Sequence, residues 1–484
     1  MKKIFIFTTV LLLLFISTMV SAMPTIYPTG TTIYNPDRAW NGYTVFPAAG
    51  DLPAVLIDMN GNTVKLWEGL AEVACPIKLL PGGVVMGGFG SREGHQESNK
   101  LVKVDWDGNI LWSFNGVEEI KDKNTAPYWS ARLHHDYQME GNPVGYYVPG
   151  MKYKDMGNVL VLSHKNWINP DISKKKLLDD LIVEVDYTGK IIWQWIAGEH
   201  FDEMGFDEAA RNTISMNPGQ GNDWMHINNA NYLGPNKWFD KGDDRFHPDN
   251  IITDSREANI IMIIDKKTGK IAWKVGPDYT GTPGLKKLGQ IIGQHHAHMI
   301  PRGLPGEGNI LVFDNGGQAG YGSATPTALT GVGNAQRGYS RVVEFDPITF
   351  EIKWQYTFKE AGYFQLDSYK FYSHYISAAQ RLPNGNTMIT EGADGRIFEV
   401  TADHELVWEY ISPYYKNYPG GKPKDRTWNF IYRAYRVPYE WVPQLEKPEE
   451  KAVIPPANQD FTLPGTTRVI RDGAVTRVKE KQLK

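Results

Sequence analysis

The sequence predicts an all-β protein built as a six-bladed β-propeller, and three observations support this prediction. A strand–turn–strand pattern that ends in a tryptophan occurs six times along the 484 residues. A second pattern, which we interpret as the innermost strand of a blade, precedes most copies of the first. Glycine (48), tyrosine (25) and tryptophan (15) are abundant, as expected for short strands joined by many turns.

The tryptophan pattern consists of an apolar strand, a tight turn and a second strand. Its copies end at Trp67, Trp112, Trp193, Trp273, Trp354 and Trp408. Each copy alternates with period two around the turn, and Asn-Gly, Asp-Gly or Thr-Gly supplies the positive φ of a hairpin in four of them. Such units bury their apolar faces only against one another, which predicts a propeller with the tryptophans in the blade core. A solenoid is the alternative architecture.

The inner-strand pattern indicates how the propeller closes. Its copies begin at Cys75, His134, Asn228, His295 and Ser377. The first tryptophan unit has no such strand before it, but a matching segment begins at Tyr432, near the C-terminus. We therefore predict that this C-terminal strand joins the first blade, which removes the exposed edges of an open ring. Closure of this kind disfavours the solenoid.

The N-terminus predicts export. Lys2 and Lys3 precede an apolar run that continues to about Ile16, and small residues follow near Ala22. This is the pattern of a cleaved signal peptide, and the run is shorter than the ~20 residues of a membrane span. The mature protein is therefore expected in the periplasm or outside the cell, without a membrane anchor.

These patterns divide the chain into four parts. We predict a signal peptide at 1–22, an N-terminal segment at 23–41, the propeller catalytic domain at 42–440 and an extended tail at 441–484.

Charge and cysteine content exclude several classes. Lysine and arginine total 51 and acids total 55, so the formal net charge is 51 − 55 = −4. A nucleic-acid partner is not expected without a basic excess. Cys75 is the only cysteine, so an internal disulfide is excluded. Its thiol is either a nucleophile or, as favoured here, a small buried hydrophobe.

Strand alternation places several polar residues on one rim of the channel. His134, Asn228 and His295 take the first inner-strand position, and His226 shares the parity of Asn228. The end of the second strand is predicted at Arg256, with His164 and Asn315 equivalent in neighbouring blades. The long connections 114–132, 199–224, 278–294, 314–339 and 359–373 are predicted to lie at the same mouth, where function usually resides.

This set of side chains suits the transfer of a charged group. Arginine binds oxyanions through its fork, and histidine acts as nucleophile, acid or donor. A sulfuryl or phosphoryl group fits both, and no Walker-type loop indicates a nucleotide donor or another cofactor. The His295-His296-Ala297-His298 run could instead bind a metal, but alternation turns His296 and His298 away from His295, so no metal site is predicted.

Several segments resemble the bacterial arylsulfate sulfotransferases. The matching segments are Asp223-Trp224-Met225-His226-Ile227-Asn228, Asp254-Ser255-Arg256, Gln294-His295, Val312-Phe313-Asp314-Asn315-Gly316, Gln380-Arg381-Leu382-Pro383-Asn384-Gly385-Asn386 and Tyr432-Arg433-Ala434-Tyr435-Arg436. The resemblance covers roughly residues 40–440. It implies an exported six-bladed propeller that moves a sulfuryl group from a phenolic ester to another phenol, without a nucleotide donor.

The resemblance also implies roles for the rim residues. His295 would be the nucleophile that becomes a sulfohistidine in a ping-pong mechanism. His226 and Arg256 would bind the sulfuryl oxygens, and His134 or its neighbour His135 would be the remaining active-site histidine. Asn228 and Asn315 are predicted to bind substrate. The expected partners are small molecules, a phenolic sulfate and a phenol, and association into homo-oligomers stays open.

Two other functions remain as alternatives. One is a metal-dependent propeller lyase or hydrolase that uses the histidine cluster. The other is a propeller that binds a ligand without catalysis. Among mouth residues, Tyr321, Tyr363 and Phe364 are expected to stack on phenol rings.

Overall fold

The computed structural model describes residues 28–49, 54–70, 75–92, 95–417, 426–453 and 474–479. It is mostly β with few helices, and its antiparallel sheets have a β-propeller arrangement. The predicted signal peptide lies outside the described residues. Within them, no helix is both long enough and apolar enough to cross a membrane.

Four sheets of four or five strands are separate from one another. The first sheet consists of Tyr435–Val437, Tyr43–Pro47, Ala54–Ile57, Thr63–Glu68 and Ala474–Arg477. The third consists of Ile227–Tyr232, Ile251–Ser255, Ile260–Ile264 and Ile271–Val275. The fourth consists of His295–Met299, Ile310–Asp314, Arg341–Phe345 and Ile352–Tyr356. The fifth consists of Ala378–Arg381, Thr387–Glu391, Arg396–Val400, Leu406–Ile411 and Gly30–Tyr34.

The second sheet has eight strands and combines two of the predicted repeats. Its strands are Lys78–Leu80, Val84–Ser91, Ser98–Val104, Ile110–Phe114, Leu133–Met139, Val159–Trp167, Leu177–Val185 and Ile191–Ile196. The two halves meet through the pair Leu133–Ser98. The sequence predicted six separate blades, whereas the structure has four separate sheets and this joined one. The reason is that Ser98 lies far enough along its strand to pair with the inner strand of the next repeat.

Both chain ends add strands to the sheets. Tyr435–Val437 pairs with Tyr43–Pro47, which places a C-terminal strand on the inner side of the first sheet. Gly30–Tyr34 pairs with Leu406–Ile411 on the outer side of the fifth sheet. Within the segment predicted as an extended tail, Ala474–Arg477 forms a parallel pair with the last hairpin strand of the first sheet.

The repeat tryptophans connect successive units. Five of the six donate from the indole nitrogen to a backbone carbonyl in the next hairpin turn, as Trp112 to Tyr187, Trp193 to Lys266, Trp273 to Pro347, Trp354 to Ala402 and Trp408 to Met59. The Trp67 nitrogen is buried without a hydrogen-bond partner among the described residues. Trp67, Trp112, Trp273 and Trp408 are buried, as predicted. Trp193 and Trp354 are only partly buried.

The remaining elements lie in connections. Short hairpins are formed by Glu118–Ile120 with Tyr128–Ser130, Ala319–Tyr321 with Val332–Ala335, and Lys416–Asn417 with Arg426–Trp428. The α-helices are Glu208–Met216, Lys237–Asp240 and Pro283–Leu288. The 3₁₀ turns are Pro143–Gly145, Ala197–Met204, Gln220–Asn222, Asp244–Phe246, Gln365–Lys370, Gly392–Asp394 and Tyr439–Trp441.

Candidate active site

The two ring nitrogens of His295 have different environments. Nδ1 lies 2.8 Å from Asn315 Oδ1 and 3.2 Å from the Gly293 carbonyl oxygen, both of which only accept hydrogen bonds. Nδ1 therefore carries the proton. Nε2 accepts a hydrogen bond of 3.2 Å from the backbone N–H of Ile376. The side chain is 2% exposed.

The surroundings of His295 keep it neutral. Burial lowers the pKa of His295 well below its ordinary value, and the nearby Arg256 guanidinium lowers it further. Asn315 is held in turn, because its Nδ2 donates to the carbonyls of Ser373 (2.6 Å) and Ile376 (2.8 Å). The ring is thus fixed in one tautomer with a lone pair on Nε2, which is the state required of a histidine nucleophile.

His226 and Arg256 lie together at the more exposed side of the site. The backbone N–H of Arg256 donates to the His226 carbonyl at 3.1 Å, across the strand ends of the third sheet. His226 Nδ1 donates to Asp223 Oδ2 at 2.5 Å, and Asp223 also accepts from the His226 backbone N–H. The Arg256 guanidinium pairs with Glu257. Both functional side chains keep about a fifth of their surface exposed, His226 17% and Arg256 21%.

The pairing register bears on which histidine of the second sheet takes the first position. Met139, Tyr232 and Met299 each pair with the first residue of the following strand. Counting back four residues from each gives His135, Asn228 and His295. Counted from this end, the first position shifts from the predicted His134 to His135. Counted from Leu133 and Ile227, which pair with the fifth residues Ser163 and Ser255, it stays at His134, so the assignment of His134 stays a prediction.

An extra bulge residue explains the shift. Between Leu133 and Tyr137 the inner strand advances four residues while its partner advances two, whereas the bulges in the third and fourth sheets add one residue each. An ungapped alignment cannot detect this insertion. In the structure the His135 ring lies 4.6 Å from that of His226, centroid to centroid, in an edge-to-face arrangement.

His134 contacts His164, Asp180 and His135. It stacks on His164 with 3.6 Å between centroids, and its Nε2 is 3.2 Å from Asp180 Oδ1. Its Nδ1 is 2.8 Å from His135 Nδ1. Among the described residues, His134, His164 and Asp180 form a group that could hold a metal ion, and the His295–His298 run forms none.

The two asparagines predicted to bind substrate have different environments. Asn315 accepts from His295 through Oδ1 and donates through Nδ2 to the carbonyls of Ser373 and Ile376, so it positions the His295 ring. Asn228 donates to the Gln294 carbonyl at 2.8 Å, and its Oδ1 is buried without a hydrogen-bond partner. Asn228 therefore retains an acceptor that a ligand could use.

The segment just before the C-terminal strand Tyr435–Val437 brings two residues to the site whose contacts the sequence analysis missed. Tyr432 Oη donates to the His135 carbonyl at 3.1 Å, and Arg433 Nη2 donates to the Asn228 carbonyl at 3.1 Å. Arg433 also pairs with Asp136 at 3.1 Å and is fully buried. In the sequence, only their place in the C-terminal segment that matches the inner-strand pattern connected these two residues with the site.

Other predicted residues lie outside the cluster. His296 and His298 contact each other deeper in the channel, with 4.4 Å between their centroids, and His298 bonds Tyr146. Cys75 is buried, which raises the pKa of its thiol to about 12 and leaves it unsuited to nucleophilic attack. Phe364 is 81% exposed.

Of the mouth aromatics, Tyr321 is next to the site. Its hydroxyl donates to the Trp224 carbonyl at 2.7 Å, in the segment that carries His226. Burial raises the pKa of Tyr321 well above its usual value, and the Glu257 and Asp223 carboxylates raise it further. Its hydroxyl therefore stays protonated.

A family model described as Arylsulfotransferase (ASST) matches residues 150–411, which is more than half of the chain. The chain belongs to this arylsulfotransferase family. Membership supports aryl sulfotransferase activity in general, with small-molecule substrates. The matched range of this arylsulfotransferase contains His226, Arg256, His295 and Asn315.

Comparison with solved structures gives distant similarities. A protein of unknown function from Bacteroides caccae is 11% identical, with a TM-score of 0.41, over 82% of this chain and 99% of that one. Sqt1 from Saccharomyces cerevisiae is 10% identical, with a TM-score of 0.34, over 86% and 99%. Virginiamycin B lyase from Staphylococcus aureus is 11% identical, with a TM-score of 0.32, over 78% and 86%. No curated protein matches this arylsulfotransferase.

Proposed function

We propose that this protein is an exported aryl sulfotransferase that moves a sulfuryl group from a phenolic sulfate ester to a phenol by a ping-pong mechanism. The observation that carries the proposal is the asymmetry of His295. Its Nδ1 is held by Asn315, and its Nε2 retains a lone pair beside Arg256. A neutral, oriented imidazole next to a permanent cation suits attack on an anionic ester.

In the first half-reaction, His295 Nε2 attacks the sulfur of the donor. The S–N bond forms while the bond between sulfur and the aryl oxygen breaks, and the phenolate leaves with that electron pair. The donor must displace the hydrogen bond from Ile376 N–H, which then becomes available to a sulfuryl oxygen. Arg256 stabilises the charge on the transferring group, which is the largest contribution expected for such a step.

In the second half-reaction, the acceptor phenol attacks the sulfohistidine and the S–N electron pair returns to His295 Nε2. The phenol proton passes to His226 Nε2. Asp223 accepts the Nδ1–H of His226 at 2.5 Å and so stabilises the imidazolium that forms. His135, whose ring lies beside that of His226, completes the set of histidines around the sulfuryl group.

We also propose that the sheets close into a six-bladed ring. Each half of the eight-stranded sheet has the four-stranded pattern of a blade. The hydrogen bond from Trp408 to the Met59 carbonyl connects the fifth sheet to the first, as the other four tryptophan bonds connect successive units. The C-terminal strand completes the first blade, and the segment just before it carries Tyr432 and Arg433 to the active site.

A transfer assay tests this function. The mature protein is incubated with 4-nitrophenyl sulfate, with and without excess phenol, and both nitrophenolate and phenyl sulfate are measured. We expect steady release of nitrophenolate that requires phenol and matches the yield of phenyl sulfate. Release that is independent of phenol, with inorganic sulfate as product, would show a hydrolase instead, and no release would favour the binding propeller.

A further inference from the structure

Three buried polar atoms behind the candidate active site have no hydrogen-bond partner. They are His134 Nε2, His164 Nε2 and Asp180 Oδ1. The three side chains are 0%, 2% and 0% exposed, and their ligand atoms all lie within 4.8 Å of one another. Buried polar groups without a partner are costly, so three in one place require an explanation.

The tautomer of His164 leaves a lone pair on the unpartnered nitrogen. Its Nδ1 lies 3.0 Å from Glu97 Oε1, and an ionised carboxylate only accepts hydrogen bonds. Nδ1 therefore carries the proton. Glu97 is held by Arg132, whose Nη2 lies 2.7 Å from Oε1. A carboxylate behind the distal nitrogen is the usual outer-shell partner of a metal-binding histidine.

The local charge also favours a cation. Burial raises the pKa of Asp180 well above its usual value, and the Asp223 and Asp179 carboxylates raise it further, so its ionised form is favoured only beside a cation. His134 Nε2 is 3.2 Å from Asp180 Oδ1, but the two are not aligned as a hydrogen bond. His134 Nε2, His164 Nε2 and Asp180 Oδ1 thus lie close together, and an ion that binds them displaces any proton that they carry.

We propose that His134, His164 and Asp180 bind a divalent transition-metal ion. Two imidazole nitrogens and a carboxylate oxygen suit zinc, with a fourth position left for water. The two rings are stacked with their planes 10° apart, so their lone pairs run side by side. Binding one ion therefore requires the rings to tilt toward each other.

The ion would fix the tautomer of His135. With its Nε2 on the metal, His134 carries its proton on Nδ1 and donates it to His135 Nδ1, 2.8 Å away. His135 then carries its own proton on Nε2, which makes it a hydrogen-bond donor beside His226. This consequence rests on the proposed function, whereas binding of the ion does not.

Metal content tests the site directly. The full-length mature protein is produced in zinc-supplemented medium, dialysed and measured by mass spectrometry for metals, alongside His164→Gln, Asp180→Asn and the control His298→Gln. His298 is a buried histidine whose two ring nitrogens both have hydrogen-bond partners. We expect one equivalent of zinc in the wild type and in the control, and at least about tenfold less in the two ligand variants.

If those variants do not fold, a second measurement on the wild-type protein tests metal binding. Protein produced with cobalt in place of zinc is expected to show the intense visible absorption of a four-coordinate site. Wild-type protein without bound metal, metal retained in His164→Gln, or the weak spectrum of a six-coordinate cobalt ion would overturn the inference. None of these measurements depends on sulfuryl transfer. They therefore test metal binding even if the protein lacks the proposed activity.

Discussion

Asn315 controls the tautomer of His295, because its Oδ1 accepts the Nδ1–H while its Nδ2 is held by two carbonyls. Asn315→Ala should leave that N–H without its best acceptor and lower kcat for aryl sulfate. A lost buried partner costs about 1–3 kcal/mol, or roughly 5- to 150-fold in rate.

Asn315→Asp is the matched variant, since it keeps an acceptor and adds a negative charge. It should retain more activity than Asn315→Ala and shift the pH profile of the first half-reaction upward, because the carboxylate favours protonated His295. Equal activity in the wild type and Asn315→Ala, measured by stopped-flow release of nitrophenolate, would contradict this role.

Residue types alone predicted which side chains meet at the rim, but not how they bond. His226, Arg256 and His295 were identified from strand register and resemblance, and the structure brings them together. Asn315 was predicted to bind substrate, and its role in holding His295 was missed. Its bonds to the carbonyls of Ser373 and Ile376 depend on the course of a connection, which no sequence pattern specifies. Asp180 left a weak signal, as the second of two adjacent acids in a mostly apolar strand.

At the scale of the element, three of the inner strands have a histidine at positive φ at or just before their start. The values are 55° for His135, 49° for His226 and 58° for His296. Positive φ is tolerated by asparagine and is strained for β-branched residues. Bulges re-aim side chains next to active sites, and here they bring successive residues of one strand to different parts of the channel.

His296→Val should therefore destabilise the protein more than His296→Asn. Both variants remove the ring, so their difference isolates the backbone strain, which we expect to be about 1–3 kcal/mol. Chemical denaturation of the two purified variants measures it. Equal stability would show that the bulge relaxes without cost.

The repeat and its hairpins were predictable because period-two alternation, turn glycines and tryptophans are local signals. The extra bulge residue before Tyr137 was not, since it changes register without changing composition. For the same reason the sequence could not show that Ser98 pairs with Leu133 and joins two repeats into one sheet.

At the scale of the whole molecule, the tryptophan hydrogen bonds hold neighbouring units together. Trp408 is fully buried and donates to Met59 at 2.8 Å, while Trp354 makes the equivalent bond to Ala402 at a more exposed position. Trp408→Phe should remove one of the two donors to the Met59 carbonyl, which also accepts from Thr31 Oγ1 at 3.1 Å, and cost about 0.5–1.5 kcal/mol.

Trp354→Phe is the control for that variant, because water can replace its donor. It should cost clearly less in the same denaturation experiment. If the two substitutions were equally mild, the contact between the fifth and first sheets would contribute little, and the proposed closure of the ring would lose its main support.

Stability should also fall as pH rises, because of Asp254. Burial raises the pKa of Asp254 from 3.8 to about 8, although its Oδ2 accepts a 2.7 Å hydrogen bond from Ala297 N–H. The folded state thus keeps a proton that the unfolded chain releases, so stability declines between about pH 4 and about pH 8.

Asp254→Asn should make this decline smaller, since the amide does not titrate, while Asp394, whose pKa burial also raises to about 8, still contributes. Denaturation midpoints of the wild type and the variant, measured across that pH range, test the assignment. An unchanged slope in the variant would assign the pH dependence to other groups.

The central claim is that His295 carries the sulfuryl group between the two half-reactions. The most direct test is to mix the protein with ³⁵S-labelled 4-nitrophenyl sulfate without a phenol, stop the reaction in alkali and locate the label by peptide mapping. His295→Asn and the exposed-histidine control His247→Asn are treated alike. We predict label on His295 in the wild type and the control, and none in His295→Asn, while all three melt at nearly the same temperature. Label on another residue, or phenol-dependent transfer by folded His295→Asn, would contradict the account.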